Sequence, residues 1–143
     1  MANPNIVAVT SILGETTYLT PAGTSEVVLL PNAASSGLVY KINQIVAANV
    51  DGSSAVDTTV SIYTNGAVAQ GSAPSSGTAY PIVSTLSVPA DASVIVVDKT
   101  TAIYLMEGTS ITVTSGTASK ITYSVSYETV SYTHLTLPTI CSV

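Results

Sequence analysis

Histidine and cysteine each occur once in this chain, as His134 and Cys141, and arginine does not occur at all. Each scarcity removes a class of chemistry. A lone histidine next to the C-terminus leaves the body of the chain without the usual general base near neutral pH. It also removes the commonest zinc ligand. A lone cysteine gives no disulfide framework. The basic residues are Lys41, Lys99 and Lys120, set against Glu15, Glu26, Asp51, Asp57, Asp91, Asp98, Glu107 and Glu128, for a net charge of −5. A nucleic-acid-binding face needs clustered basic side chains to displace counterions, so no such partner is expected. Long apolar runs are missing too. The longest are a few residues, such as 94–97, so no helical membrane span is expected. Met1 is followed by ANPN, without a basic region or an apolar stretch, so no secretory leader is expected.

The histidine and the cysteine both fall in the last fourteen residues, VSYTHLTLPTICSV. The run VSYTHLTLPT is one reading frame of a transposase-based sequencing adaptor: GTC TCT TAT ACA CAT CTG ACG CTG CCG ACG. The adaptor continues through a sample index into GTG TAG, a valine and a stop. That layout matches Ile140, Cys141 and Ser142 followed by Val143. Segments of foreign origin are set aside before fold reasoning. The expected division is a domain over residues 1–129 and a non-native tail over 130–143 that leaves the sandwich or adds at most a loosely held edge extension. The domain then contains neither histidine nor cysteine.

What remains is rich in Thr, Val, Ser and Ile, the residues of pleated strands. Helical periodicity is not found over three turns anywhere, whereas short apolar runs and period-two alternation recur. In KITYSVSYE, residues 120–128, Ile121, Tyr123, Val125 and Tyr127 share one face. Lys120, Thr122, Ser124, Ser126 and Glu128 share the other, which predicts one packed and one wet face. Ile111 and Val113 alternate with Thr and Ser ahead of a Ser115-Gly116 turn. Residues 94–97 read as a strand buried on both faces, after a turn at 89–92. Residues 38–50 read as a long strand with Tyr40, Ile42, Val46, Ala48 and Val50 on one face, interrupted by Gln44 and ended by Asp51-Gly52. Residues 58–64 follow, with Val60 and Ile62 inward and Asn65-Gly66 as the stop. Residues 67–80 are rich in Gly, Ser, Ala and Pro and read as a long loop, the least constrained part of the fold. Pro81 opens a strand over 81–88, and strands over 6–12 and 26–30 complete the set. Residues 32–37 and Glu107-Gly108 are tight connections. The expected fold class is all-β: a single β-sandwich or jelly roll of eight or nine short, mostly antiparallel strands, with a small barrel as the alternative.

Candidate sites are few. Asp51 and Asp57 in DGSSAVD suggest closely spaced oxygen ligands, but the spacing fits no EF-hand, and an ordinary hairpin loop is expected. Asp98, Lys99 and Glu107 bracket AIYLM. A carboxylate pair for glycoside hydrolysis would need two acids facing a cleft, and turns around a strand are expected instead. Gly14 in SILGET has no phosphate-loop partners and reads as a turn residue. The serines have no histidine in the domain to activate them. Tyr40, Tyr123 and Tyr127 are expected to pack in the core with their hydroxyls near the sheet edge. Tyr18, Tyr63 and Tyr80 are the candidates for an exposed contact patch. No catalytic, cofactor or metal site is expected.

The opening MANPNIVAVTSILG, the stretch PNAASSGLVYKINQIVAANVDG, the block STLSVPADASVIVVDKTTAIYLMEGTSITVTSG and the closing SVSYE together resemble a family of small virion structural proteins of tailed bacteriophages. The likeness is especially to those of contractile-tailed phages of marine cyanobacteria and similar hosts. SVPAD, then VVDK, an apolar triplet, EG and an alternating strand form the most specific part of the likeness. The loop at 66–80 and everything after Glu128 depart from it. The resemblance implies a non-enzymatic capsid, neck or tail accessory protein located in the virion and made in the host cytoplasm. It implies other virion proteins and copies of the same chain as partners, and it transfers no catalytic residue. The alternative is a carbohydrate- or host-surface-binding β-sandwich module that uses Tyr63 and Tyr80.

Overall fold

The computed structural model of the protein describes residues 13–101 and 103–131. The strand expected over 6–12 lies outside the described residues, as do residues 132–143 of the expected tail. Among the described residues nine strands are formed: β1 (Leu13–Leu19), β2 (Val27–Asn32), β3 (Leu38–Asn49), β4 (Val56–Tyr63), β5 (Ala79–Val88), β6 (Ser93–Val97), β7 (Ile103–Leu105), β8 (Thr109–Ser115) and β9 (Ile121–Ser131). A single turn of 3-10 helix, Lys99–Thr101, joins β6 to β7.

The strands form two separate sheets, β1-β9-β3-β6 and β2-β8-β4-β5, with β7 also on β3, and all pairings are antiparallel. The nesting of the pairs is informative. β1 pairs with β9, β2 with β8, β3 with β6 and β4 with β5. One long antiparallel ribbon, turning back at the β4–β5 connection, has wrapped so that its successive strand pairs alternate between sheets. That is the order of an eight-stranded jelly roll. β7 is the addition, continuing along β3 beyond β6. The sandwich is therefore formed and the small barrel is not.

The core lies between the sheets. Leu29 and Leu30 of β2, Ile42, Ile45 and Ala47 of β3, Val60 of β4, Ile111 and Val113 of β8, and Ile121, Tyr123 and Val125 of β9 are buried together. Alternate residues of β4, β8 and β9, and of β3 on either side of its register shift, point into this core, and the buried apolar area holds the layers together. Ile121, Tyr123, Val125 and Tyr127 occupy the packed face of β9 as the alternation predicts.

Three hydrogen-bonded groups bolt the sheets. Asn32 on β2 donates from Nδ2 to Leu38 O and Leu105 O of the other sheet, both at 3.0 Å, and accepts from Ser36 Oγ at 2.6 Å. At the far end Asn49 on β3 donates to Val88 O and Ser54 O, both at 2.9 Å, and accepts from Asp51 N at 2.8 Å. Tyr123 on β9 donates to Thr114 O at 2.9 Å, so the Thr58 hydroxyl it also meets must be the donor of that contact. Its hydroxyl is thus deep between the sheets and not at an edge.

The structure corrects several sequence expectations. Asn43 is an extra residue in β3, which pairs Ile42 with Tyr127 and then Gln44 with Ser126. The bulge flips the later half of the strand. Ile45, Ala47 and Asn49 are buried instead of Val46, Ala48 and Val50, and the Asn43 Oδ1 atom is buried without a hydrogen-bond partner among the described residues. β6 is not buried on both faces, because it is an edge strand with Ile95 exposed. Gly14 is not in a turn. It lies inside β1, opposite Glu128.

The connection between β4 and β5 is not loosely held. Asn65 accepts from Ala67 N at 3.1 Å and donates to Ser75 O at 2.8 Å. Further along, Gly71 N donates to Val28 O at 2.8 Å and Val28 N donates to Ser72 O at 2.9 Å, so the loop adds itself to the edge of β2. It also crosses the outer face of its own sheet. Tyr63, Ser61, Ser110, Thr112 and Val28 all point away from the main core, yet they are buried there. Gly66 permits the crossing, since a Cβ on it would lie 2.1 Å from Asn32 O and 2.5 Å from Thr109 O.

Candidate functional site

The residues singled out in the sequence do not converge. Asp51 closes a turn, its Oδ1 accepting from Ser53 N at 2.9 Å, Ser53 Oγ at 3.0 Å and Ser54 N at 3.3 Å. The Ser53 backbone bond leads the causes that hold its carboxyl below the usual range. Asp57 instead offers its backbone carbonyl to Gly116 N at 2.8 Å. Asp98 caps the 3-10 turn, accepting from Thr100 Oγ1 at 2.6 Å and Thr100 N at 3.0 Å, which lowers its carboxyl likewise. Glu107 accepts from Gly37 N at 3.0 Å and joins two connections at one end of the sandwich. These acids stabilise turns. Among the described residues no three of His, Cys, Asp and Glu form a group able to hold a metal.

The tyrosines sort differently from the expectation. Tyr63 is only 7% exposed, its hydroxyl accepting from Gly77 N at 3.1 Å, while Tyr80 is 60% exposed. Tyr80 pairs with Ile62 and Tyr63 is the next residue of β4, so the two rings leave opposite faces of the sheet. They cannot form one platform. Tyr18 is exposed as expected, and Tyr104 on β7 is exposed as well.

A cleft with convergent polar groups opens between the edges of β1 and β2. It encloses about 240 Å³ and is lined by Glu15, Thr17, Leu29, Leu30, Pro31, Tyr40, Gln70 and Tyr127. Period-two alternation on β1 and β9 brings Glu15 directly opposite Tyr127. The Tyr127 hydroxyl donates to Glu15 Oε1 at 2.8 Å, and the Tyr40 ring lies 4.8 Å from that of Tyr127 at 48°. Burial, then the Glu15 carboxylate, raises the pKa of both tyrosines, so both hydroxyls stay neutral. Gln70 spans the mouth, donating to Thr17 Oγ1 at 2.9 Å and Leu29 O at 2.8 Å. A neutral phenol held by a carboxylate has no activated nucleophile beside it. The arrangement can accept and orient a hydroxylated ligand, and it clasps the two sheets. Sequence reading missed it because Glu15 and Tyr127 come together only when the first and last strands pair.

Comparison with protein-family models, with curated proteins and with solved structures finds no match for this chain.

Proposed function

We propose that the protein is a non-enzymatic structural or accessory component of a bacteriophage virion, in the capsid, neck or tail. The jelly-roll strand order carries this reading, because that topology is a building block of viral shells. The same topology also serves lectins, so fold supports the reading only together with the site-level features. Those features point the same way. The acids that sequence marked out stabilise turns, the polar bolts lie inside the sandwich, and the outer face of the β1-containing sheet is rich in hydroxyls, with Lys41 opposite Glu128 at one end. On that face Thr16 meets Ser126 at 2.9 Å and Thr20 meets Thr122 at 2.9 Å. A surface of hydroxyls and few charges loses little on being covered by a neighbour. Mass spectrometry of purified particles from a host that carries the gene tests the reading. The chain is expected at stoichiometric levels, and its absence from particles overturns the proposal.

The second reading is a carbohydrate- or host-surface-binding module. With Tyr63 buried, its site would be the cleft at Glu15, Tyr40 and Tyr127, where aromatic rings flank a carboxylate. Glycan-array binding that is lost in Glu15→Gln would favour it over the first.

A further inference from the structure

Sheet edges invite pairing with other chains, and natural proteins block them. Three of the four edges here are blocked. β2 is capped by Gly71 and Ser72. β5 carries Pro81, two register shifts against β4 and Thr85 at a φ of 46°. The remaining flank of β3 is covered by two short strands broken by the 3-10 turn. β1 has none of these backbone devices, and the loop reaches it only through the Gln70 side chain, which donates to Thr17 Oγ1 on the cleft face. The strand runs Leu13–Leu19 in unbroken register against β9, and among the described residues no strand pairs with its other flank. Its only charge, Glu15, is turned to the cleft and held by Tyr127.

Two features of β1 have no explanation among the described residues. Gly14 needs no special backbone, and a Cβ there would meet nothing within 4 Å. Glycine nevertheless weakens a strand. Tyr18 is 72% exposed and Leu13 is 60% exposed, both on a regular strand.

From these features we infer that β1 is a self-association edge, which pairs antiparallel with β1 of a second copy about a two-fold axis through Thr16. That register uses the whole strand. It sets Gly14 opposite the neighbour's Tyr18, Leu13 opposite its Leu19, Glu15 opposite its Thr17 and Thr16 opposite its Thr16, with every relation repeated by symmetry. An aromatic ring lying over a cross-strand glycine is a recognised stabilising pair, and threonines pair well across strands. No like charges meet. Alternation is preserved, since Gly14, Thr16 and Tyr18 all face outward and a two-fold axis normal to the sheet keeps them so. The two sheets become one continuous sheet. Self-complementarity is what selects a second copy over an unrelated peptide as the occupant, because the strand's own residues supply both members of each pair. A single strand pair is small against a standard interface, so the dimer is expected to be weak and concentration-dependent.

The inference rests on the structural reading above only for its biological purpose, and its test is separate from the particle test. Sedimentation equilibrium of the full chain should show a reversible monomer–dimer equilibrium. Thr16→Lys sets two cations face to face at the axis and should weaken association at least about ten-fold, with circular dichroism unchanged. Tyr18→Ala should weaken it too. Ser84→Lys, the same charge on the β5 edge, should not. In a Cys141→Ser background, Thr16→Cys should give a disulfide-linked dimer on mild oxidation while Ser84→Cys stays monomeric, a readout that survives if the lysine variant misfolds. A wild-type chain that stays monomeric at high micromolar concentration overturns the inference. Association that Thr16→Lys leaves intact, together with no cross-link through position 16, also overturns it. Particles that contain the chain without β1 pairing would leave the virion reading standing and this one refuted.

Discussion

Tyr123 concentrates the residue-scale energetics in one oxygen. Its hydroxyl donates to Thr114 O and accepts from Thr58, and burial pushes its pKa from the ordinary 10.0 up to about 12. Tyr123→Phe leaves a buried carbonyl and a buried hydroxyl unpaired, so a loss of about 1–3 kcal/mol is expected in urea unfolding. The pH dependence has a definite sign. With the folded pKa above the unfolded one, the unfolded chain ionises first as pH passes 10. The contribution to stability is therefore complete below about pH 10 and is lost as pH rises through about 12, at roughly 1.4 kcal/mol per unit. Urea midpoints across that range should fall steeply for the wild type and less steeply for Tyr123→Phe. Tyr40 and Tyr127, both raised, keep part of the slope. The two asparagine bolts make a companion case. Asn32→Ala strands two backbone carbonyls of the opposite sheet and Asn49→Ala strands one there and one in the β3–β4 connection, and each should cost about 2–3 kcal/mol. Ser84→Ala, exposed on β5, serves as the near-neutral control in the same unfolding series.

At the scale of elements, what was legible in the sequence is what one strand decides by itself. The two faces of β9 follow from alternation alone, and the stops at Asp51-Gly52, Asn65-Gly66 and Ser115-Gly116 follow from turn chemistry. What needed a partner strand was not legible. The Asn43 bulge reverses the faces of β3 after Ile42, and only the register against β9 reveals it. The β4–β5 connection looks unconstrained by composition because its restraints are backbone groups of β2 and the side chains of Asn65 and Gln70. The cleft is of the same kind, since Glu15 and Tyr127 are 112 residues apart in the chain. Gly66 tests the loop's role. Gly66→Ala would drive a methyl group into Asn32 O and Thr109 O, lifting the loop from Tyr63 and Ser110, and should cost more than about 2 kcal/mol. Gly14→Ala, with open space around it, should stay within about 0.5 kcal/mol for the monomer. Hydrogen exchange at Val28, whose amide bonds to Ser72 O, should accelerate in the first variant and not in the second.

For the whole molecule, the wrapped ribbon makes the two ends of the fold interdependent. β9 lies between β1 and β3, so neither β1 nor the flank of β3 that faces β1 has its ladder until β9 arrives. Such non-local pairing favours slow folding. It also sets how far the C-terminal side can be cut. The adaptor-like sequence starts at Val130, yet β9 runs on through Ser131, with Val130 opposite Val39 and Ser131 opposite Leu38. Backbone pairing asks little of side-chain identity, so the ladder can run on into these two residues whatever their origin. Deletion of residues 132–143 is expected to change the unfolding free energy by less than about 0.5 kcal/mol, the range for changes away from buried features. Deletion of residues 128–143 is a different cut. It removes the partners of Leu13 and Gly14 on one side and of Leu38 to Lys41 on the other, and frees both flanking strands at one end. A loss of about 2 kcal/mol or more is expected, with β1 amides exchanging faster. Urea unfolding of the two truncations beside the full chain separates these outcomes. A loss of several kcal/mol on the shorter deletion would mean that residues 132–143 pack against the domain, and a neutral result for the longer one would mean that the end of β9 contributes no stability.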